Sequence, residues 1–104
     1  MKSTTEYCKN IANELTAIYN GEYGEDYNLW DWIPDNVLDF EYIANSRKEY
    51  RSVRLWVTLG GPNVWIDTAN ATVNLAWGQE RVEYPLPCGV RDALDDIYSE
   101  FWSE

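Results

Sequence analysis

The chain has 104 residues, with 18 acidic against 8 basic side chains, a net charge of −10 and no histidine. That balance excludes conventional nucleic-acid binding by counterion release and argues against an anionic membrane surface. Without imidazole there is no Ser-His-Asp or Cys-His catalysis and no His-ligated zinc.

At 12.2 kDa, the surface-scaling rule predicts roughly 6,000 Å² folded against about 17,700 Å² unfolded. One domain over residues 1–104 can therefore bury a core without staples. Apolar residues at 45% and aromatics at 15% exclude a disordered chain.

The first helix is predicted from a capping box at Ser3-Thr4-Thr5-Glu6, a hydroxyl cap with a carboxylate three residues on. Cys8, Ile11, Ala12, Leu15, Ile18 and Tyr19 follow at helical spacing, and Asn20-Gly21 stops the run. Residues 21–36, GEYGEDYNLWDWIPDN, form an acidic, aromatic connection longer than usual, with a helical turn expected at Leu29–Ile33. Such loops are often functional; equally, Trp30, Trp32 and Ile33 could cap the core.

Strands are predicted next by alternation and short turns. They are Val37–Ile43, Tyr50–Leu59, Val64–Asp67, Thr72–Trp77 and Arg81–Tyr84. Pro85 and Pro87 end the sheet. A last helix from Pro87 or Cys88 to about Trp102 has an apolar face of Val90, Ala93, Leu94, Ile97, Tyr98 and Phe101. Its wet face holds Arg91, Asp92, Asp95, Asp96, Ser99 and Glu100.

The fold expected is α+β, with N- and C-terminal helices on one face of a four- to five-stranded, mainly antiparallel sheet. The other face should carry Asp39, Glu41, Arg54, Trp56, Trp65 and Asp67, a candidate contact surface.

Cys8 and Cys88 are too few for a disulfide framework and are expected to be buried free thiols. Residues 1–15 lack the apolar core of a signal peptide, and no stretch reaches the ~20 apolar residues of a membrane span. A reducing compartment, the cytoplasm of a bacterial host, is expected. Asn70-Ala71-Thr72 then reads as turn chemistry.

The charge is segregated. Residues 10–46 hold eight acids and no base, residues 47–54 are net +3, and residues 82–104 are net −5. Glu100 and Glu104 sit at the unfavourable end of the last helix dipole, each costing a few tenths of a kcal/mol. Asp39 and Glu41, two apart on a strand, would lie about 6–7 Å apart, a spacing that any alternating strand also produces. No calcium loop, phosphate-binding glycine motif or Cys-x-x-Cys pair is present. No catalytic residue, metal or cofactor is therefore expected. Six tryptophans and eight tyrosines suit a protein interface or sugar stacking, with about half of these aromatics in the core.

In size, absence of histidine, acidic loop Gly21–Asn36 and acidic helix Arg91–Glu104, the chain resembles the small acidic anti-restriction and anti-CRISPR proteins of phages and conjugative elements. The segment Val53–Asp67, VRLWVTLGGPNVWID, is also similar to short reading frames of mobile elements in gut bacteria, and carries no functional motif. These inhibitors share no common fold, so the resemblance implies a role: a DNA mimic that blocks the nucleic-acid-binding groove of a defence enzyme.

The expected contact residues are Glu22, Glu25, Asp26, Asp31 and Asp35 of the loop, and Asp39, Glu41, Trp56 and Trp65 of the sheet. Asp92, Asp95, Asp96 and Glu100 of the last helix complete the set. The expected partner is a protein with a basic nucleic-acid-binding surface, a nuclease or effector complex, with no direct nucleic acid and no membrane. The basic patch Arg47–Arg54 departs from a pure mimic and suits the partner or a second copy of the chain. An antitoxin or immunity module with a basic partner, or a carbohydrate-binding domain, would share the composition.

Overall fold

The structure, a computed structural model, describes residues 2–103. The order is α1 (Lys2–Tyr19), α2 (Leu29–Asn36), β1 (Asp39–Ala44), β2 (Tyr50–Thr58), β3 (Asn63–Asp67), β4 (Thr72–Trp77), β5 (Glu80–Pro85) and α3 (Cys88–Ser103). The five strands form one antiparallel meander in sequence order, β1-β2-β3-β4-β5. The short links between strands favour this arrangement, because a hairpin joins only antiparallel neighbours. The α+β architecture is as the sequence predicts.

One sheet face is apolar and covered. Val53, Leu55, Val64, Ile66, Val73 and Leu75 are all at most 1% exposed. The outer terminal helix α1 lies over β4 and β5, α3 lies over β2, and α2 touches both helices. α1 buries Cys8, Ile11, Ala12, Leu15 and Ile18, the stripe expected from its spacing.

Helix α1 starts at Lys2, one residue before the expected cap, and the Ser3 side chain lies outside the described residues. The Thr4 hydroxyl donates to Glu80 Oε2 at 2.7 Å, tying α1 to β5. The helix stops as expected. Gly21 takes φ +81°, and Glu22 N–H donates to Ala17 O at 2.9 Å.

Helix α2 is longer than the single turn expected. Asn28 caps it: its side chain accepts from Asp31 N–H at 3.3 Å, and Asp31 Oδ2 accepts from Asn28 N–H at 2.9 Å. Pro34 sits inside the helix.

The domain is a slab of 40 × 37 × 22 Å. Two layers have little interior, which explains the tryptophans. Only Trp32 is fully buried; Trp56 and Trp65 are half-buried, and Trp30, Trp77 and Trp102 are exposed. Among the tyrosines Tyr98 is fully buried and Tyr27, Tyr42, Tyr50 and Tyr84 pack partly buried against the core, so with Trp32 six of the fourteen aromatics belong to it, close to the half expected. Cys88, expected to be buried, is corrected. It is a free, exposed thiol at the start of α3, where no element covers it, whereas Cys8 is fully buried.

Burial pushes the Cys8 thiol from 9.0 up to about 11. An unfolded thiol ionises first, so the stability supplied by neutral Cys8 is complete below pH 9 and is lost as pH rises through about 11. Thermal melts across this window should fall more steeply for the wild type than for Cys8→Ala. Equal slopes would show that Cys8 contributes nothing to the alkaline limb.

Candidate functional site

The expected contact residues divide between two surfaces, separated by the thickness of the sheet. The first is the open sheet face. Register places Asp39, Trp56, Trp65, Asn74 and Glu83 in one cross-strand row, and Glu41, Arg54, Asp67 and Thr72 in the next. The six residues predicted from strand alternation therefore do share this face.

Part of the face is engaged internally, while the buried Arg54 Nε has no hydrogen-bond partner among the described residues. Trp56 Nε1–H donates to Glu41 Oε1 at 3.0 Å. The Trp56 and Trp65 rings meet at 5.1 Å and 41°. The Arg54 guanidinium lies 6.0 Å from the Trp56 ring centroid, at the limit of a cation–π contact. Asp67 accepts from Ala69 N–H at 2.9 Å, folding the β3–β4 turn. These two rows hold four acids and one base, although over the whole sheet segment, residues 37–87, six acids meet five bases.

The second surface is the helical layer. α1 ends at Tyr19, and the chain re-enters helix at Asn28; both residues line a cavity of about 340 Å³ between α1, α2 and α3. Its walls are Ile18, Leu29, Ala93 and Ile97, with Trp30, Asp96 and Glu100 at the opening. Tyr19 can lie there because Gly89 has no side chain: a Cβ on Gly89 would be 3.1 Å from the Tyr19 hydroxyl.

Trp30 is off the buried stripe of α2. Leu29, Trp32 and Ile33 occupy i, i+3 and i+4, which turns Trp30 toward α3. There it meets Phe101 edge-on at 5.4 Å.

On α3, Asp92, Asp96 and Glu100 are spaced four apart and form one exposed stripe. Asp92 is engaged by Arg91 Nε at 2.7 Å, while Asp96 and Glu100 side chains make no ion pair or hydrogen bond among the described residues. Asp95 is set apart from this stripe. Half-buried, it accepts from the Tyr50 hydroxyl at 2.6 Å and anchors α3 to β2. Burial and this bond push the Tyr50 phenol far up.

The loop that brackets the cavity holds Glu22, Glu25 and Asp26, all exposed. Tyr23 stacks on Tyr27 at 6.0 Å. Asp31 is both an exposed acid and part of the α2 cap. Partial burial and then the field of Asp35 and Glu14 raise the Tyr27 phenol. The negative potential of this surface thus acts on a neighbouring group.

Trp102 Nε1–H donates to Lys48 O at 3.0 Å, bringing the basic β1–β2 turn to the last turn of α3. Glu104 lies outside the described residues.

Trp30 and Phe101 are the site residues that strand alternation and net charge did not single out. The i, i+3, i+4 stripe of α2 held the signal for Trp30. For Phe101 there was none, because it continues the apolar face of α3.

Among the described residues no group of three or more Cys, Asp or Glu could hold a metal, and no helix is long and apolar enough to cross a membrane. No family model matches the chain, and no curated protein or solved structure matches it either.

Proposed function

We propose that the protein is an inhibitor that occupies the basic nucleic-acid-binding surface of a defence enzyme, as anti-restriction and anti-CRISPR proteins do. What carries the reading is the uncompensated acidity of one layer. Residues 20–36 and 88–103 hold nine acids and a single base, Arg91, which Asp92 engages.

The magnitudes are commensurate only when both rows count. A duplex carries one charge per 1.7 Å, about twelve over 20 Å. The α3 stripe alone, with acids about 6 Å apart along the helix axis, is too sparse. The loop and α2 supply the second row. The cavity between the rows, with Trp30 at its mouth, gives a basic partner an apolar seat that charge alone lacks. The tryptophans suited to that role are Trp30 and its neighbours, since Trp56 and Trp65 lie on the opposite face.

The test is affinity capture from bacterial lysate supplemented with purified nucleases, including an RNA-guided one, eluted by rising salt. A nucleic-acid enzyme released by salt and displaced by competing DNA is the expected result. A basic toxin that DNA does not displace would indicate an immunity role. A salt-resistant partner would reduce the net charge to a solubility device.

A further inference from the structure

The cavity between α1, α2 and α3 has two kinds of lining. Its floor is apolar: Ile18, Leu29 and Ile97 are buried there, and Ala93 lies one turn before Ile97 on α3. Its rim is charged and aromatic. Asp96 and Glu100 are exposed, one turn apart on α3, and their carboxylates meet no base among the described residues. Trp30 shares the rim, 46% exposed, its ring held by the edge-on contact with Phe101 at 5.4 Å.

Each simpler occupant meets only half of this lining. An anion is repelled by Asp96 and Glu100, and by Glu22, Glu25 and Asp26 of the bracketing loop. A metal ion finds no group of three ligands among the described residues, and the aliphatic walls offer it no donor oxygen. A neutral apolar group covers the floor but strips water from two carboxylates without compensation. A bare cation pairs with the carboxylates and leaves the floor wet.

We infer that the cavity recognises one short feature of a basic partner. An apolar side chain fills the floor, and an arginine next to it in sequence lays its guanidinium over Trp30 and pairs with Asp96 and Glu100. The inference rests on the proposed function, since it names the part of the basic partner that enters the seat. Arginine suits the rim better than lysine. Its guanidinium is planar, stacks on an indole and gives up water more readily than an ammonium. Its fork engages one carboxylate with two hydrogen bonds, while the other, about 6 Å along the helix axis, adds to the field. At about 340 Å³ the cavity is at the small end of ligand pockets, roughly 300–1,000 Å³. That size takes one side chain and the head of its neighbour.

The probe is N-acetyl-leucyl-arginine amide, titrated into the full chain and followed by NMR. Cross-peaks of Ile18, Leu29, Trp30 and Ile97 should shift and saturate between about 0.1 and 10 mM. Glycine in place of the probe's leucine, or glutamine in place of its arginine, should weaken binding at least about ten-fold. Lysine in place of the arginine should weaken it about three-fold or more. Ala93→Leu fills the floor without changing charge, and Trp30→Ala removes the ring from an exposed position. Each should weaken the probe at least about ten-fold with the fold retained.

Cavity cross-peaks that do not move at about 10 mM, any substituted probe that binds as tightly, or a probe indifferent to both variants would overturn the inference. The proposed function fails separately. If no nucleic-acid enzyme is captured while the probe behaves as expected, the cavity chemistry stands and the inhibitor reading falls. If an enzyme is captured equally well by the wild type, Trp30→Ala and Ala93→Leu, the inhibitor reading stands and this inference falls.

Discussion

Trp32→Ala is expected to cost about 3–5 kcal/mol, the usual loss for emptying a buried aromatic site. Trp32 is 1% exposed and is the largest fully buried side chain. Total stability for a domain of this size is about 5–15 kcal/mol, so the variant should lose a large share of its denaturant midpoint. The effect is not only on the core. Trp32 and Leu29 are the residues by which α2 is buried, and α2 is one wall of the cavity. Undocking it would disperse Trp30, Asp31 and Asp35. Trp32→Phe is the informative companion. Trp32 Nε1 is buried without a hydrogen-bond partner, an orphaned donor of the kind that costs about 1–3 kcal/mol. Phenylalanine removes that donor, so its cost should fall well below that of alanine. A midpoint unchanged in Trp32→Ala would show that α2 lies outside the cooperative fold.

Neutralising the α3 stripe should have the largest effect on binding. Asp92→Asn, Asp96→Asn and Glu100→Gln together remove three negative charges from exposed positions. Folding should be retained, and loss of Glu100 relieves the helix dipole by a few tenths of a kcal/mol. Affinity for the captured partner should fall at least about ten-fold, mainly through slower association, with a shallower salt dependence. Asp95 must be left intact, because its bond to Tyr50 makes it a structural residue. Asp39→Asn with Glu41→Gln is the matched control on the open sheet face, where binding should not change. If the control variant loses affinity and the α3 variant does not, the interface is the sheet face and the helical reading is wrong.

Local chemistry determined much of this protein. The stripe of α1, the glycine stop at Gly21 and the alternation in β2 through β4 are short-range patterns, so elements and the α+β class followed from them. The open face bearing Asp39, Glu41, Arg54, Trp56, Trp65 and Asp67 followed as well, because side chains alternate along a strand whatever its neighbours are. Boundaries moved by a residue or two; β1 begins at Asp39 and not at Val37 because Val37 caps α2.

Only the tertiary structure decided what lies next to what. Asp95 has the same sequence context as Asp96, yet one meets Tyr50 and the other meets solvent, since α3 crosses β2 on one side only. Phe40 has the spacing of a core residue, but it is about two-fifths exposed because β1 forms the edge of the sheet; Phe101, in the last turn of α3, is equally exposed. Trp30 and Trp32 differ by two positions and end at 46% and 1% exposure. Net charge stated that the chain is acidic; the packing of α2 against α1 and α3 gathered that acidity onto one layer, around one cavity. Charge and periodicity are properties of the chain alone, whereas exposure and adjacency depend on which surfaces the layers happen to cover.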